Sequence, residues 1–158
     1  MSPLFRIFTP RRTAAAALMT VLAGSVLLPA VAADAPDQAK PMALTGIMRD
    51  LGQDMQAATD AIAREDWPKV ATLAARIADH PQPPLAEKLR ILSFVGKDTS
   101  SFRGYDKQAH EAGKQLEKAA KRGDGTAIIS AFADVQTACL ACHQQFRKPF
   151  QDHFHGQQ

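Results

Sequence analysis

The sequence is poor in several features that define common classes of protein. Its 158 residues hold only two cysteines, one tryptophan and one tyrosine, and aromatic residues make up 6% of the chain. No stretch alternates predicted strands with helices, so a thioredoxin-like or other βαβ domain is not expected. No internal repeat and no constellation of substrate-binding residues is visible, and we therefore do not expect an enzyme.

The N-terminal segment is typical of a Sec signal peptide. A basic region with three arginines precedes an apolar run over residues 14–28, and the segment ends in the A-x-A cleavage signal Ala30-Val31-Ala32. Residues 1–33 are predicted to be removed and the protein to be exported to a bacterial periplasm. The apolar run is too short to span a membrane comfortably, and no membrane insertion of the mature chain is expected.

The charge of the mature chain is close to zero. The whole sequence has 19 Lys and Arg against 16 Asp and Glu, and the leader holds three of the basic residues and no acidic one. Since nucleic-acid partners need a basic surface, none is expected. We predict a flexible lead-in over residues 34–41 and one folded domain over residues 42–155.

Hydrophobic periodicity predicts helices throughout this domain. The first runs from about Met42 to Arg64, and its apolar stripe advances by alternating steps of four and three residues through Leu44, Met48, Leu51, Met55, Ala58 and Ile62. A second helix follows the N-cap Asp66 and stops before the prolines at 81–84. A short helix over residues 85–95, a third long helix capped by Asp98 or Thr99 and ended by Gly123-Asp124-Gly125, and a fourth from about residue 126 complete an all-α, antiparallel four-helix bundle.

Both cysteines fall on the inner stripe of the last helix, in the run Cys139-Leu140-Ala141-Cys142-His143. C-x-x-C-H is a pattern of c-type haem attachment. The spacing of three residues places both thiols on one side of a helix, where each can add across one haem vinyl group. We therefore predict one covalent haem c per chain, with Cys139 and Cys142 as its thioethers and His143 as the proximal iron ligand.

Three other uses of the two cysteines compete with haem attachment. A thioredoxin-like redox pair lacks its βαβ surroundings. A zinc site needs a fourth ligand, for which only His153 and His155 are at hand. A disulfide across so short a loop gives little stabilisation. A haem-free metal-handling or structural bundle that uses these cysteines and the histidines stays open as the least favoured function.

The distal side of the iron depends on the first helix. Antiparallel order places the N-terminal half of that helix beside the C-terminal half of the last one, and Met48 and Met55 share its inner stripe. Met48 is nearer the helix start and is the candidate distal ligand; alternatively, both methionines fill the core. Arg147, one turn after His143, is a candidate for a haem propionate or for the proximal pocket. His80 and His110 lie in no motif and are treated as non-ligands, although a free histidine would in principle allow a bis-His haem.

Two blocks of the sequence resemble cytochrome c′ and its low-spin relatives. One includes Gly123-Asp124, Ala131-Phe132, the C-x-x-C-H run and Phe146-Arg147; the other is the first-helix run from Ile47 to Met55. The resemblance implies an exported four-helix bundle with covalent haem, and it aligns Met48 with the family's distal residue. Leu44 stands where the family often has an arginine.

The function expected from these observations is electron transfer. A haem iron held by His143 and Met48 is closed to substrates and suits an electron carrier that works with redox partner proteins. If Met48 only packs near the iron, the resemblance implies a five-coordinate haem that binds NO or CO. Homodimers through the first two helices occur in the resembling family, but the stripes show no second exposed apolar face, so the oligomeric state is left open.

Overall fold

The computed structural model describes residues 42–154, and these are almost entirely helical. The helices are α1 (Ala43–Ala63), α2 (Trp67–Ala78), α3 (Leu85–Val95), α4 (Thr99–Arg122) and α5 (Gly125–Phe154), with a 3₁₀ turn at Gly96–Asp98. Residues 42–154 contain no strand. The predicted signal peptide at residues 1–33, the lead-in at residues 34–41 and the last predicted domain residue, 155, lie outside the described residues.

Local capping signals account for several of the helix boundaries. The Asp66 carboxylate accepts a hydrogen bond from the Lys69 amide at 3.1 Å, and the Asp124 carboxylate accepts one from the Ala127 amide at 3.0 Å. Gly123 ends α4 with a φ of +67°, a conformation that glycine adopts without steric cost. Asp98 stands at the N-cap of α4, but its side chain makes no capping hydrogen bond there.

The four long helices form the predicted antiparallel bundle. Helix α4 packs along both α2 and α5, α1 packs mainly on α2, and α1 and α5 approach each other sparsely. An ion pair of 2.7 Å between Arg76 and the buried Asp54 joins α2 to α1. Helix α3 lies in the connection between α2 and α4. The packing of the four long helices confirms the predicted all-α bundle.

The packed core is concentrated in one half of the bundle, which we call the closed half. It comprises the C-terminal half of α1, α2, the C-terminal half of α4 and the N-terminal half of α5. Its buried side chains are small or aliphatic: Ala58, Ala61, Val70, Leu73, Ala74, Ile77, Leu116, Ala119, Ala120, Ile128, Ala131 and Val135. The N-terminal halves of α1 and α4 and the C-terminal half of α5 form the opposite half, which we call the motif half.

Helix α5 is, among the described helices, the one long and apolar enough to cross a membrane by length and composition. Its Ile128, Val135 and Phe146 are buried. Phe146 lies edge-on to Phe102 of α4, with ring centroids 5.3 Å apart. A helix that buries one face against its neighbours in this way is the ordinary core helix of a bundle. The predicted absence of membrane insertion stays a prediction.

Candidate haem site

The two cysteines lie on the inner face of α5, in the motif half. Helix α5 continues without a break through the C-x-x-C-H run, so Cys139 and Cys142 stand one turn apart on the same side. Both are half-buried free thiols, and no disulfide joins them. Leu140, between them, is 57% exposed and points away from the bundle. The local helix therefore presents two thiols side by side to the space between α5 and its neighbours.

The surroundings of the thiols keep them protonated at neutral pH. Burial raises the pKa of Cys139, and burial together with the negative charge of Asp106 raises the pKa of Cys142. Nucleophilic redox cysteines need the opposite, a lowered pKa and a stable thiolate. This environment argues against the thioredoxin-like alternative and suits a covalent link to an apolar group.

The imidazole of His143 is held in its neutral form. His143 is exposed on α5, but its partial desolvation lowers its pKa, and the positive charge of Arg147, one turn further along α5, lowers it further. A neutral imidazole is the form that coordinates iron. Arg147 is exposed, and its charge reaches His143. Iron ligation by His143 and the role of Arg147 stay predictions.

The candidate distal residue, Met48, stands at the margin of the core. Its side chain is 42% exposed, whereas Ile47 and Asp54 of α1 are buried, so the inner face of α1 is rotated from the predicted stripe. Met55, the competing methionine, is half-buried and packs against the core of the closed half. The two methionines therefore differ in role: Met55 fills the core, and Met48 does not.

The start of α1 is fixed by a side chain from another helix. The Glu87 carboxylate of α3 accepts hydrogen bonds from the Ala43 and Leu44 amides, each at 2.8 Å. These amides have no partner within α1, and a carboxylate also matches the positive end of the helix dipole. Glu87 thereby anchors the turn that precedes Met48.

The motif half fits a flat apolar group better than it fits an all-protein core. Several inner-face residues there are only half-buried, namely Leu44, Phe102, Tyr105, Ala109 and Cys142, although Ile47 and Phe146 are buried. The closed half has more fully buried side chains. Helices α1 and α5, which carry Met48 and the C-x-x-C-H run, touch each other only sparsely. Two thiols and a neutral imidazole are groups that can attach haem c and bind its iron.

A comparison with protein families matches residues 42–147 to the family described as Cytochrome C′. The chain belongs to the cytochrome c′ family. The match covers α1 to α4 and α5 through Arg147, so it includes every residue of the candidate site. A comparison with curated protein sequences gave no match.

Membership in the cytochrome c′ family has three general consequences. The chain is a c-type cytochrome by family, and the family implies covalently bound haem c. Members are haem-binding carriers or ligand-binding proteins rather than enzymes, and they are generally periplasmic. The haem-free bundle, the least favoured function from the sequence, is therefore at odds with the family.

A second group of polar side chains, not recognised in the sequence, lies at the α2–α4 contact. His80, Asp106 and His110 bring one ligand atom each to within 4.8 Å of one another. The spacing of Asp106 and His110, one helical turn apart, is visible in the sequence. The addition of His80 depends on how α2 and α4 pack, so no local signal predicts it.

The histidine at the end of α5 has a packing role. His153 stacks on Phe94 of α3 with ring centroids 4.5 Å apart. The ring of Phe154 lies edge-on to that of His153, with centroids 4.6 Å apart. Within residues 42–154, no group of potential metal ligands includes Cys139, Cys142 or His153. The zinc alternative for the cysteines has no support in this part of the chain, and His155 lies outside the described residues.

Proposed function

We propose that the chain is an exported monohaem c-type cytochrome that carries electrons between redox partner proteins and has no substrate chemistry of its own. One haem c is attached through Cys139 and Cys142. His143 is the proximal iron ligand, Met48 is the distal ligand, and Arg147 faces the proximal pocket or a haem propionate. The bound haem supplies a one-electron iron couple.

The observation that carries this proposal is the different environment of the two methionines on α1. Met55 packs against the closed half, whereas Met48 stands outside that core, on the helix half that antiparallel packing brings beside the C-x-x-C-H run. A thioether that is not used in packing, at the end of the bundle that carries the attachment cysteines, is available as a ligand. Methionine paired with histidine raises the haem potential relative to harder ligand pairs.

The chain's own residues divide the remaining work. The raised pKa values of Cys139 and Cys142 keep both sulfurs protonated until they are joined to haem. Partial desolvation and Arg147 keep His143 neutral and ready to bind a metal. Glu87 holds the first turn of α1 and so limits the movement of Met48. A site held in this way changes little when an electron arrives or leaves.

A five-coordinate, gas-binding cytochrome is the second candidate. The 42% exposure of Met48 favours it, because no dense packing holds this side chain over the site. If Met48 does not ligate, NO or CO can approach the distal side, and the protein binds gases instead of relaying electrons.

The ferric absorption spectrum at neutral pH separates the two candidates. The proposal expects a low-spin spectrum with the weak near-infrared sulfur-to-iron band. Met48→Ala should make the haem high-spin and remove that band, and the matched control Met55→Ala should leave it in place. A high-spin wild-type spectrum would overturn ligation by Met48 and favour gas binding.

A further inference from the structure

The group formed by His80, Asp106 and His110 is a built arrangement and not a chance crowding of surface charge. The two imidazole rings are stacked, with centroids 4.4 Å apart and an angle of 5° between their planes. The His80 side chain is only 9% exposed and that of His110 is 23% exposed. Asp106 lies at the outer side of the pair with 44% of its side chain exposed, so the group is open to solvent ions.

Backbone carbonyls fix the orientation of both rings. The Nδ1 atom of His80 lies 2.9 Å from the Ile77 carbonyl oxygen, and the Nδ1 atom of His110 contacts the Ala78 carbonyl oxygen. Because a carbonyl oxygen only accepts hydrogen bonds, each Nδ1 carries a proton and donates it. In the neutral rings, both Nε2 atoms therefore present lone pairs, as they do in metal-binding histidines whose other nitrogen bonds a carbonyl.

The lone pairs of both rings point at another acceptor. His80 Nε2 lies 3.7 Å from Asp106 Oδ1, and His110 Nε2 lies 3.5 Å from Asp106 Oδ2. No donor lies between the two imidazole nitrogens and the carboxylate, although they face one another. The group therefore needs a positive species, either an added proton on a ring or a metal cation.

The separations fit a cation better than a direct hydrogen bond. Zinc bonds of 2.0–2.2 Å at a tetrahedral angle place neighbouring ligand atoms about 3.3–3.4 Å apart. The two Nε2–carboxylate distances exceed this by only a few tenths of an ångström, and both are long for an N–H···O bond. To bind one ion, the two rings must also tilt out of their parallel stack so that both Nε2 lone pairs converge on it.

We propose that His80, His110 and Asp106 form a second metal site, which binds a divalent transition-metal ion of the zinc type through two imidazole nitrogens and one carboxylate. Three protein ligands leave a coordination position for water or a small ligand, as in open zinc sites. None of the three residues is a predicted haem ligand, although the charge of Asp106 reaches Cys142. They lie in the loop after α2 and on α4, and the proposal does not depend on which function the haem has.

The neighbouring charges favour a cation at this position. Asp79 lies close enough to His80 to act on it electrostatically, and Asp106 acts on both rings. Lys88 is the positive group whose charge reaches Asp106. A proton on His80 competes with the metal ion, because the Asp106 partner raises the pKa of His80. Zinc binding should therefore weaken as the pH falls.

The test measures zinc binding to the haem-loaded protein, in which the cysteine sulfurs are not available as ligands. Isothermal titration with Zn²⁺ alone at pH 7.5, after treatment with a chelator, should show one ion per chain. His80→Gln, His110→Gln and Asp106→Asn should each weaken binding at least roughly tenfold. His153→Gln, which removes a histidine elsewhere, and Asp79→Asn, which removes a nearby carboxylate outside the group, should retain most of the affinity.

Three outcomes would overturn the proposal. These are the absence of zinc binding, an equal loss of affinity in Asp79→Asn and Asp106→Asn, and a changed haem spectrum in His80→Gln or His110→Gln without added metal. The last would assign the histidines to the haem site. If a variant fails to fold, X-ray absorption at the zinc edge of the wild-type protein still decides, since it must report two imidazole ligands and one carboxylate oxygen.

Discussion

The closed half and the motif half are built from the same four helices but are packed in different ways. In the closed half, aliphatic side chains such as Val70 and Leu116 are fully buried and alanines let the helices approach closely. In the motif half, larger residues such as Phe102 and Tyr105 are only half-buried, and α1 and α5 touch sparsely. We therefore expect one half to be stabilised by protein packing and the other to depend on a bound group.

The largest effect is expected when that group is lost. In the double variant Cys139→Ala/Cys142→Ala, covalent attachment should be abolished, so mass spectrometry should find the mature chain, which is predicted to begin near residue 33 or 34, without the mass of one haem. Amide hydrogen exchange should then accelerate mainly in the motif half, because the closed half retains its own core.

The control is Ser130→Ala, at an exposed position of α5. It should leave both the haem content and the amide exchange unchanged. Retention of the haem mass by the double variant, or a uniform acceleration of exchange in both halves, would show that the halves do not differ as described.

The closed half should be sensitive to the loss of single side chains. Leu116 has no exposed surface, and Leu116→Ala should lower the free energy of unfolding by about 2–5 kcal/mol. Leu89 of α3 is 58% exposed, and Leu89→Ala should change that free energy by no more than about 0.5 kcal/mol. Urea unfolding of haem-loaded protein measures both, and similar losses in the two variants would contradict the described core.

The contact between α2 and α4 should not tolerate an added methyl group. A Cβ atom on Gly113 would lie 3.0 Å from the backbone nitrogen and Cα of Ala78. Overpacking of this kind costs about 1–3 kcal/mol, more than the roughly 1 kcal/mol that alanine gains over glycine inside a helix. Gly113→Ala should therefore have a lower free energy of unfolding in urea than wild type.

The matched control is Gly52→Ala on α1, where a Cβ meets nothing within 4 Å and only the helix-propensity gain remains. This variant should be slightly more stable than wild type. If Gly113→Ala were stabilised to the same extent, the close approach of α2 and α4 would be wrong.

The anchoring of α1 by Glu87 should contribute about 1 kcal/mol, as other helix caps do. Glu87→Ala leaves the Ala43 and Leu44 amides without their carboxylate partner. Glu87→Gln keeps one acceptor oxygen and should lose less stability. If Met48 is the distal ligand, Glu87→Ala should also weaken the near-infrared band, and an unchanged band together with unchanged stability would remove Glu87 from this role.

Much of the bundle could be predicted from local sequence, because helix periodicity and capping residues are local properties. The bounds of α3, the N-cap at Asp66 and the end of α4 at Gly123 agree with the predictions. The C-x-x-C-H run was recognisable because its chemistry is contained in five consecutive residues.

The remaining features depend on how helices pack on one another. The buried face of α1 includes Asp54, which a hydrophobic pattern does not count, because its ion pair with Arg76 of α2 compensates its burial. The Glu87 cap joins residues more than forty positions apart. The meeting of His80 with Asp106 and His110 requires the close approach of Ala78 and Gly113.

The smallest effect expected is the pH dependence of the His80–Asp106 pair. The Asp106 carboxylate, 3.7 Å from His80 Nε2, raises the pKa of His80 above 6.5, and His80 in turn lowers the pKa of Asp106 below 3.8. Stabilisation through His80 is complete below pH 6.5 and is lost as the pH rises through its raised pKa. Stabilisation through Asp106 is complete above pH 3.8 and is lost as the pH falls through its lowered pKa.

The pair should therefore stabilise the fold most between pH 4 and pH 6.5, by less than about 1 kcal/mol because Asp106 is partly exposed. In urea unfolding with a chelator present, Asp106→Asn should have a lower free energy of unfolding than wild type, and this deficit should shrink above pH 6.5. Asp152→Asn, which breaks an exposed pair with Lys148, should show no such change, because lysine stays charged there. If the stability deficit of Asp106→Asn instead grew with pH in metal-free buffer, Asp106 would not be stabilising the charged form of His80.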